Sequence, residues 1–370
     1  MFKLEEPKYC SRCVLQEGWG TELAEDGRCP ACRGGEASEG AVAWLNRLVQ
    51  IVMDFRNYAE QNRNNDHYDC ILMLSGGKDS VYMLHKLVNI DKFKPLAFTF
   101  INPFESSNAV HNIERTLERL NVEHIGFTPK IGAYKALLKH ILSMSAEEIS
   151  SISDTATEKI PCGACTAYMM LMSCLFAVNL GIPYILYCAD PNQMATTPPD
   201  ILKAADFLKK FCGKELIHML FGNKLETLEK VDKLPEIVFP YIAENYDERR
   251  IISEVKELGL YETSPNETHC SLYGLLQYFS IKNFNRYFYA AETAARVRSG
   301  KMNREAVITG IDQFKVAIMQ IAAEENISPQ LEGQVKGILK YICSKDSEVE
   351  YMWNNIRNIR QVAKELDIKL

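Results

Sequence analysis

The stretch Asp69-Cys-Ile-Leu-Met-Leu-Ser-Gly-Gly-Lys-Asp-Ser80 decides the fold of this chain. Its apolar half, Cys70 to Leu74, predicts a buried strand, and the residues from Lys78 onward predict a helix. Two glycines between a strand and a helix let the backbone approach a bound anion, and the first N–H groups of the helix point at that anion. The stretch therefore predicts a phosphate site, in which Lys78 adds a charge and Ser75 and Ser80 add hydroxyl donors.

The loop Ser75-Gly-Gly-Lys-Asp-Ser80 lacks the Gly-x4-Gly-Lys-Ser/Thr spacing of a Walker A motif. It resembles the signature of the PP-loop ATP pyrophosphatases, an adenine nucleotide alpha hydrolase-like superfamily. The resemblance implies that the loop holds the pyrophosphate end of ATP and that the enzyme adenylates a substrate oxygen. It also implies bound Mg2+, with Asp79 and Asp190 as candidates to hold the ion or orient phosphate. The alternative for Asp79 is a first-turn carboxylate stabilised by the helix dipole.

Length and composition set the broad class of the protein. A chain of 370 residues suggests two or three domains, and a hydrophobic content of 47% is ample for a core. We expect no membrane span, because no run reads as long and apolar enough. The stretch Lys3 to Lys8 is polar and lacks a secretory hydrophobic region, which favours a cytoplasmic protein. A net charge of −6 argues against a protein that coats nucleic acid, although a local basic groove could still accept tRNA.

The N-terminal segment carries two cysteine pairs, Cys10-Ser-Arg-Cys13 and Cys29-Pro-Ala-Cys32, with fifteen residues between them. Among twelve cysteines in a cytoplasmic chain, such pairs indicate metal ligands or redox groups rather than disulfides. Two C-x2-C pairs can supply four thiolates to a tetrahedral Zn2+, and so short a segment cannot bury a core without the metal. Residues 1–38 are therefore predicted to be a structural zinc ribbon; an iron–sulfur cluster and cysteines without a ligand role are the alternatives.

Residues 39–230 alternate between strand and helix patterns, which favours an α/β fold with a doubly wound parallel sheet. The resemblance of the glycine loop implies that this sheet is of the HUP, or PP-loop, type. Ligands bind such sheets beyond the carboxyl ends of the strands. The predicted strands are Cys70–Leu74, Lys94–Ile101, His124–Phe127 and Ile182–Cys188, and the predicted helices include His111–Leu120 and Tyr168–Leu180. The predicted nucleotide-binding residues are Ser75, Gly76, Gly77, Lys78, Asp79, Ser80, Thr99 and Asp190.

A further cysteine pair, Cys162 and Cys165, lies in the stretch Pro161-Cys-Gly-Ala-Cys165, directly before a predicted helix. A helix N-terminus lowers thiol pKa values and favours thiolates. A redox dithiol, a second zinc site, an iron–sulfur cluster and a purely structural pair all stay open. Cys270 is the best third cluster ligand, because it lies in a polar, turn-like segment. Three cysteines on a 4Fe–4S cluster leave one iron open for sulfide or substrate, a pattern that resembles the tRNA thiolases and sulfur transferases of the PP-loop superfamily.

The layout of the whole chain resembles the N-acetyl sugar amidotransferases of surface-polysaccharide synthesis. The resemblance is carried by Tyr9-Cys-Ser-Arg-Cys-Val14 with Asp26-Gly-Arg-Cys-Pro-Ala-Cys-Arg33, by the glycine loop, and by Ser299-Gly-Lys-Met-Asn-Arg-Glu-Ala306, which is similar to a helix-joining motif of that family. It implies that ammonia from a partner glutaminase replaces an adenylated sugar oxygen. The Pro161–Cys165 stretch departs from this pattern, so sulfur and ammonia both stay open as the nucleophile.

Residues 231–370 are predicted to be mainly helical, with helices over Leu276–Arg298, Asn303–Glu325 and Gln330–Leu366. Taken together, the sequence predicts an ATP-dependent, AMP- and pyrophosphate-forming enzyme that replaces a substrate oxygen with sulfur, with the sugar amidotransferase as the alternative. We expect the substrate to be a tRNA, a sugar or another small molecule, and the partner to be a sulfur donor or a glutaminase. We expect the protein to form a homodimer. The predicted catalytic residues are Lys78, Asp79, Cys162 and Cys165.

Overall fold

The computed structural model of the chain describes residues 7–18, 21–33, 39–153, 158–189, 201–244, 246–262, 270–343 and 346–370. The chain forms two compact units, each assembled from separate segments. The first unit contains Met1–Glu36, Lys135–Gly163 and Pro265–Leu370, and the second contains Ala37–Tyr134 and Ala164–Ser264. The domains predicted from sequence, 1–38, 39–230 and 231–370, divide the chain differently and stay a prediction.

A parallel five-stranded sheet forms the centre of the second unit, in the order β3-β2-β1-β4-β5. The chain moves outward from β1 to β3 and then continues on the other side of β1, so the strand order reverses between β1 and β4. Ligands in open parallel sheets bind at such a reversal, beyond the carboxyl ends of the strands. The strands are β1 (Cys70–Met73), β2 (Pro95–Phe100), β3 (His124–Phe127), β4 (Tyr184–Leu186) and β5 (Glu236–Val238).

Helices connect and cover these strands. Within the second unit lie α2 (Glu39–Gln61), α3 (Lys78–His85), a π-helical continuation of α3 (Lys86–Asp91), α4 (Ser107–Leu120), α8 (Ile201–Phe221), α9 (Lys224–Glu229), a 3-10 turn (Pro240–Ile242) and α10 (Glu248–Glu257). Two helices, α5 (Ile131–Ser143) and α7 (Ile160–Leu180), run from one unit into the other.

Both faces of the sheet are covered, as the doubly wound prediction requires. On one face, Leu72 of β1 packs in a buried cluster with Val81 of α3 and Ile251 of α10. On the other face, the ring of Phe98 in β2 lies 5.4 Å from the ring of Phe176 in α7. Alternate residues of a strand point to opposite faces, so a strand that is buried on both sides reads as a continuous apolar run. This explains why all four residues of β1 are buried.

Two elements of the second unit differ from the sequence prediction. Glu236–Val238 is not among the four strands predicted from sequence, and it pairs with β4 as the fifth strand. The helix expected over Tyr168–Leu180 begins eight residues earlier, at Ile160. The early start corrects the position of the cysteine pair, because Cys162 and Cys165 lie inside the helix rather than before it.

The first unit is helical around the N-terminal cysteines. The helix predicted over Asn303–Glu325 is confirmed as Arg304–Ala323, whereas those predicted over Leu276–Arg298 and Gln330–Leu366 are divided into shorter helices. Asn285 ends α11 because it adopts a left-handed backbone conformation (φ 50°), which asparagine tolerates at helix ends. The helices of this unit are α1 (Pro30–Arg33), α6 (Ala146–Ile152), α11 (Tyr273–Phe284), α12 (Ala290–Arg298), α13 (Arg304–Ala323), α14 (Pro329–Ile342), α15 (Asp346–Ile356) and α16 (Ile359–Glu365).

Two helices, α7 and α13, are long and apolar enough to cross a membrane by length and composition alone, which corrects the expectation that no such run exists. In the most apolar 18-residue stretch of α7 the mean hydropathy is 1.6, and 67% of that stretch is buried inside the protein. The corresponding values for α13 are 1.3 and 50%. Helices in the core of a water-soluble protein pass the same test, so the two helices are weak evidence for a membrane span.

The packing of α11 makes a testable prediction about Gly274. A Cβ atom at Gly274 would lie 2.5 Å from the carbonyl oxygen of Asn355 and 2.7 Å from Cγ1 of Ile359. We expect Gly274→Ala to lower the free energy of unfolding by about 1–3 kcal/mol, because the neighbouring helix must move. Gly333→Ala in α14 is the matched control, since nothing lies within 4 Å of its added Cβ. The free energy of unfolding of both variants is measured by urea titration, and the control should raise it by up to about 1 kcal/mol. Equal changes in the two variants would contradict the close packing at Gly274.

Candidate nucleotide site and thiol centres

The glycine loop leaves the start of α3 open to a ligand. Gly77 occupies the N-cap position of α3 in an extended conformation, and no side chain caps the first turn. The first N–H groups of a helix have no partner within the helix and carry its positive partial charge. Helix α3 follows β1 directly at the strand-order reversal. This is the order of strand, glycine loop and helix that the sequence predicted; the binding of an anion there stays a prediction.

Gly76 lets the loop lie directly against helix α4. Its φ is +72°, and a Cβ atom there would lie only 2.2 Å from the carbonyl oxygen of Ala109. Both the backbone conformation and the close approach exclude a side chain at this position. The carbonyl oxygen of Gly76 accepts a hydrogen bond from Nδ2 of Asn112 at 3.1 Å.

The two serine hydroxyls close the loop on itself. Oγ of Ser80 accepts a hydrogen bond from the Ser75 amide at 3.2 Å and donates to the carbonyl oxygen of Gly77 at 3.1 Å. Oγ of Ser75 lies 3.2 Å from Oγ of Ser80 and accepts from the Gly77 amide at 3.4 Å. Ser80 is 3% exposed, so its hydroxyl shapes the loop from inside.

Lys78 is held by two carboxylates. Its Nζ lies 2.9 Å from Oδ2 of Asp79 and 3.4 Å from Oε1 of Glu248. The contact with Glu248 is not indicated by the sequence. Burial by itself lowers the pKa of Lys78, but the charges of Asp79 and Glu248 outweigh it and raise that pKa above its ordinary value. Lys78 is therefore a permanent positive charge beside the anion site.

Both carboxylate oxygens of Asp79 receive hydrogen bonds from the protein. Oδ2 accepts from Lys78 at 2.9 Å, and Oδ1 accepts from the hydroxyl of Tyr246 at 2.9 Å. The backbone carbonyl of Asp79 also accepts from Tyr241 at 2.7 Å. These contacts give Asp79 a role in orienting Lys78, in addition to the two roles that the sequence left open. Asp190, the other candidate for Mg2+, lies outside the described residues.

Thr99 lies in β2, next to β1. It is 3% exposed, and its hydroxyl donates a hydrogen bond to the carbonyl oxygen of Leu74 at 2.9 Å. This bond ties β2 to the last residue before the glycine loop. A role for Thr99 in nucleotide binding stays a prediction.

Cys162 and Cys165 lie one helical turn apart at the start of α7. Residues three apart on a helix have Cβ atoms about 5–6 Å apart. The thiol of Cys165 lies 3.0 Å from the hydroxyl of Tyr134. Burial raises the pKa of Cys165, and the negative charge of Glu105 adds to that rise, while the Tyr134 contact opposes it. The expectation that the helix start lowers this pKa is therefore wrong for Cys165, because burial of the thiol outweighs the helix dipole.

Glu105 is a site residue that the sequence did not reveal. It lies in the turn between β2 and α4, beyond the carboxyl end of β2, and its amide donates to the carbonyl oxygen of Asn102 at 3.2 Å. Its Oε2 atom is buried and has no hydrogen-bond partner among the residues that the structure describes. Burial raises the pKa of Glu105 to about 7, so the carboxyl group is partly protonated at neutral pH.

Tyr289 of the first unit lies within electrostatic reach of two of the predicted cluster ligands. Burial raises the pKa of Tyr289 well above its ordinary value, and thiolate charge on Cys162 or on Cys270 raises it further. The ring of Tyr289 stacks on Tyr273 with centroids 5.5 Å apart, and the hydroxyl of Tyr351 donates to the carbonyl oxygen of Cys270 at 3.4 Å. Cys162 and Cys270 thus both act electrostatically on Tyr289.

The four N-terminal cysteines converge as predicted. Their sulfur atoms all lie within 4.8 Å of one another, and Sγ of Cys13 lies 3.7 Å from Sγ of Cys29. A tetrahedral ion with metal–sulfur bonds of about 2.3 Å requires sulfur–sulfur distances of about 3.8 Å. Among the described residues, this is the only group of three or more cysteine, histidine or acidic ligand atoms at such separations. Cys10, Cys13, Cys29 and Cys32 therefore form a four-cysteine metal-binding group.

Backbone amides favour thiolates in this group. The amides of Cys29 and Arg12 donate to Sγ of Cys10 at 3.3 and 3.5 Å, and the amide of Leu15 donates to Sγ of Cys13 at 3.5 Å. Burial raises the pKa of Cys10, but these N–H donors outweigh it and lower the pKa to about 6. Burial and neighbouring thiols raise the pKa of Cys32, so a bound cation is needed to deprotonate all four. The donor set fits one tetrahedral metal ion.

Cationic side chains from the helices hold the ribbon in the first unit. The guanidinium of Arg304 donates to the carbonyl oxygens of Cys10 and Cys13 at 2.6 and 3.0 Å. Arg304 lies in the stretch Ser299–Ala306, which the sequence singled out as a helix-joining motif. Lys315 is 2% exposed, and its Nζ donates to the Tyr9 hydroxyl at 3.2 Å and to Oε1 of Gln16 at 3.0 Å.

Comparison with known proteins gives matches among solved structures alone. No family model and no curated protein matches the chain. Forty-eight chains of solved structures match. NMN synthetase from Francisella tularensis is 12% identical with a TM-score of 0.34, over 79% of this chain and 92% of that one. The U34-tRNA thiolase NcsA from Methanococcus maripaludis, solved with its 4Fe–4S cluster, is 14% identical with a TM-score of 0.35, over 84% and 87%.

A third match, NH3-dependent NAD synthetase from Campylobacter jejuni in complex with nitrate, is 10% identical with a TM-score of 0.32, over 80% of this chain and 93% of that one. At these TM-scores the likeness says nothing about activity. The assignment of the α/β fold rests on the strand order and on the loop itself.

Glu105 yields a prediction about pH. Its pKa in the folded protein, about 7, lies above the ordinary 4.5, so the folded state binds this proton more tightly than the unfolded state. The stabilisation is present below about pH 4.5 and is lost as the pH rises through 7. Glu105→Gln removes this titration. The free energy of unfolding of the wild type should therefore fall relative to that of the variant as the pH rises. Between pH 4.5 and about pH 8, we expect this relative change to be on the order of 3 kcal/mol in favour of the variant.

Denaturant titrations at several pH values would measure this difference. Glu114→Gln is the control, because it makes the same substitution at an exposed position of α4. A Glu105→Gln curve parallel to that of the wild type would show that Glu105 does not titrate in this range.

The ribbon yields a prediction about metal content. Cys10→Ser removes one of four thiolates, and we expect the metal content of the purified protein to fall well below that of the wild type. The thermal midpoint should also fall, because ribbon unfolding takes Tyr9 and Gln16 away from the buried ammonium of Lys315. Cys343→Ala, in the same unit but outside the group, should keep its metal. Elemental analysis decides, and equal metal content in both variants would contradict the site.

Proposed function

We propose that this chain is an ATP-dependent, AMP- and pyrophosphate-forming enzyme that adenylates an oxygen of its substrate and replaces that oxygen with sulfur. The observation that carries the first half is the uncapped start of α3 behind the glycine loop, with the charge of Lys78 beside it. The observation that supports the second half is the cysteine pair in the first turns of α7.

The activation step follows from the chemistry of the loop. A carbonyl or amide oxygen of the substrate attacks the α-phosphorus of ATP, and the bond from that phosphorus to the bridging oxygen breaks. Pyrophosphate leaves with the electron pair of that bond. The amides at the start of α3 and the ammonium of Lys78 stabilise the negative charge that develops on pyrophosphate. Asp79 and Glu248 keep Lys78 protonated and in place. Mg2+, when bound, neutralises further phosphate charge.

The second step exchanges the activated oxygen for sulfur. A hydrosulfide attacks the carbon that carries the adenylated oxygen, a carbon–sulfur bond forms, and the carbon–oxygen bond breaks with AMP as the leaving group. Electrons balance without an oxidant, because sulfur enters at the oxidation level at which it stays. Adenylation is required because oxide by itself is a very poor leaving group, whereas AMP is a good one.

The thiol at Cys165 favours a metal cluster over the alternatives. A redox dithiol needs a thiolate of lowered pKa, whereas burial raises the pKa of Cys165. Metal binding displaces thiol protons, which makes a buried, protonated thiol suitable as a ligand. The electrostatic effect of both Cys162 and Cys270 on Tyr289 supports Cys270 as a ligand together with Cys162.

The metals and partners follow from this proposal. A 4Fe–4S cluster on Cys162, Cys165 and Cys270, when bound, supplies an iron that can hold sulfide. Zinc is the metal proposed for the N-terminal group, because four thiolates within 4.8 Å match its tetrahedral preference and leave no open position for catalysis. A cytoplasmic location suits these thiolate ligands, since thiols stay reduced in the cytoplasm. A sulfur donor in the same compartment is the partner that the proposal requires. The substrate is a tRNA, a sugar or another small molecule that carries an oxygen which can be adenylated.

Anaerobic purification followed by iron, sulfide and zinc analysis tests the proposal. We expect a brown protein with several irons and acid-labile sulfide per chain, in addition to zinc. Cys162→Ala should lose the iron and keep the zinc, whereas Cys174→Ala, a buried position further along the same helix, should keep both. A colourless protein that contains zinc alone would rule out the sulfur proposal.

Turnover separates sulfur from ammonia as the nucleophile. With ATP, sulfide and candidate substrates, the wild type should form AMP and pyrophosphate, and Lys78→Ala should lose at least about tenfold in rate. If Cys162→Ala kept full turnover with ammonia, the chain would be an amidotransferase, as its overall layout suggests. The contact of Arg304 with the ribbon fits that layout but does not bear on the nucleophile.

A further inference from the structure

We propose that Asn112 is a positioning residue that fixes the glycine loop for pyrophosphate through the carbonyl oxygen of Gly76. The inference rests on the proposed function, because it takes this loop as the grip on the pyrophosphate end of ATP. Sequence reasoning did not find Asn112, which lies in the middle of α4 and shows no motif.

The side chain of Asn112 is fully enclosed, with 0% exposure. Its Nδ2 atom donates to the carbonyl oxygen of Gly76 at 3.1 Å and to the backbone carbonyl of Glu262 at 3.3 Å. Its Oδ1 atom accepts from the backbone amide of Glu262 at 3.0 Å. A buried amide is costly unless its polar atoms are paired, and here both the donor and the acceptor are used.

The amide of Asn112 can face only one way. The oxygen and nitrogen of an asparagine amide look alike, so their assignment depends on the hydrogen-bond network. The N–H of Glu262 needs an acceptor, which places Oδ1 on that side. The other side then presents N–H groups, and the carbonyl oxygen of Gly76 is there to accept one. Helix α4 and the chain at Glu262 therefore orient the donor that reaches the loop.

The bond to Gly76 sets the direction of the next amide. In a trans peptide the carbonyl oxygen and the following N–H point in opposite directions. Asn112 holds the carbonyl oxygen of Gly76 toward α4, so the N–H of Gly77 points away from α4, into the loop. Within the described part of the chain, this N–H makes one long contact, 3.4 Å, with Oγ of Ser75. It is oriented for a stronger acceptor, such as a pyrophosphate oxygen.

Gly76 by itself cannot keep this orientation. Glycine is the least restricted residue, and a peptide next to two glycines can turn over at little cost. The close packing against Ala109 limits the position of Gly76, while the hydrogen bond from Asn112 limits the rotation of the peptide plane. Without Asn112, the carbonyl oxygen could turn toward the anion and repel it.

Binding of inorganic pyrophosphate and of AMP, measured by calorimetry on the intact protein, tests this role. Asn112→Leu keeps the volume and removes the donor. We expect its affinity for pyrophosphate to fall at least about tenfold, since the Gly77 amide is no longer held toward the charged ligand and its hydrogen bond to that ligand is lost. Its affinity for AMP should change less than about twofold. Asn112→Asp keeps the acceptor for Glu262 but places an oxygen against Gly76, and it should show the same selective loss if the leucine variant does not fold.

Thr116→Val is the matched control. Thr116 lies one turn further along α4, is 0% exposed, and donates to the carbonyl oxygen of Leu260 at 3.1 Å. It ties α4 to the same segment as Asn112 without touching the loop. We expect Thr116→Val to lower the thermal midpoint and to keep the pyrophosphate affinity of the wild type.

The outcomes separate this inference from the proposed function. Equal pyrophosphate affinity in wild type and Asn112 variants, an equal loss in Thr116→Val, or no pyrophosphate binding by the wild type would overturn the role of Asn112. Selective loss in the Asn112 variants supports it even if the wild type forms no AMP from ATP, in which case the proposed sulfur transfer fails while the positioning role stands.

Discussion

The close contact between Gly76 and the carbonyl of Ala109 is the constraint on which the site depends. It requires a residue without a side chain, in a left-handed conformation, where β1 ends and α3 begins. Only with the loop pressed against α4 can Asn112 reach it and can α3 start without a cap. The parallel sheet supplies the place, because β1 lies where the strand order reverses. The adenylation proposed for the chain depends on the loop position that this contact fixes.

The charges around the loop follow from the same geometry. Lys78 must stay close to the helix start to meet an anion, and Asp79, Glu248 and Tyr246 restrict the positions of its ammonium and of the Asp79 carboxylate. The first unit shows a comparable use of cations, since Arg304 and Lys315 bind the backbone and side chains of the cysteine ribbon. In both places, buried or half-buried charges fix a short irregular segment that has little core of its own.

Much of this structure could be predicted from local sequence. The strand, glycine loop and helix order and the two N-terminal cysteine pairs are short patterns, and the structure confirms each of them. Other features depend on contacts between distant segments. Nothing near Asn112, Glu105 or Glu248 indicates that they meet the loop or Cys165, because the chain must fold before they come close. The pKa of Cys165 was predicted in the wrong direction for the same reason, since a helix position is visible in sequence and burial is not.

The central claim is that the glycine loop holds the pyrophosphate end of ATP. A crystal structure of the chain with a non-cleavable α,β-methylene analogue of ATP tests it most directly. The account predicts the β- and γ-phosphates within hydrogen-bonding distance of the backbone amides at Gly77 and Lys78, with the Asn112 contact to Gly76 intact. An analogue bound with its phosphates elsewhere, for example at Arg115 and Lys256, with the loop empty, would contradict it.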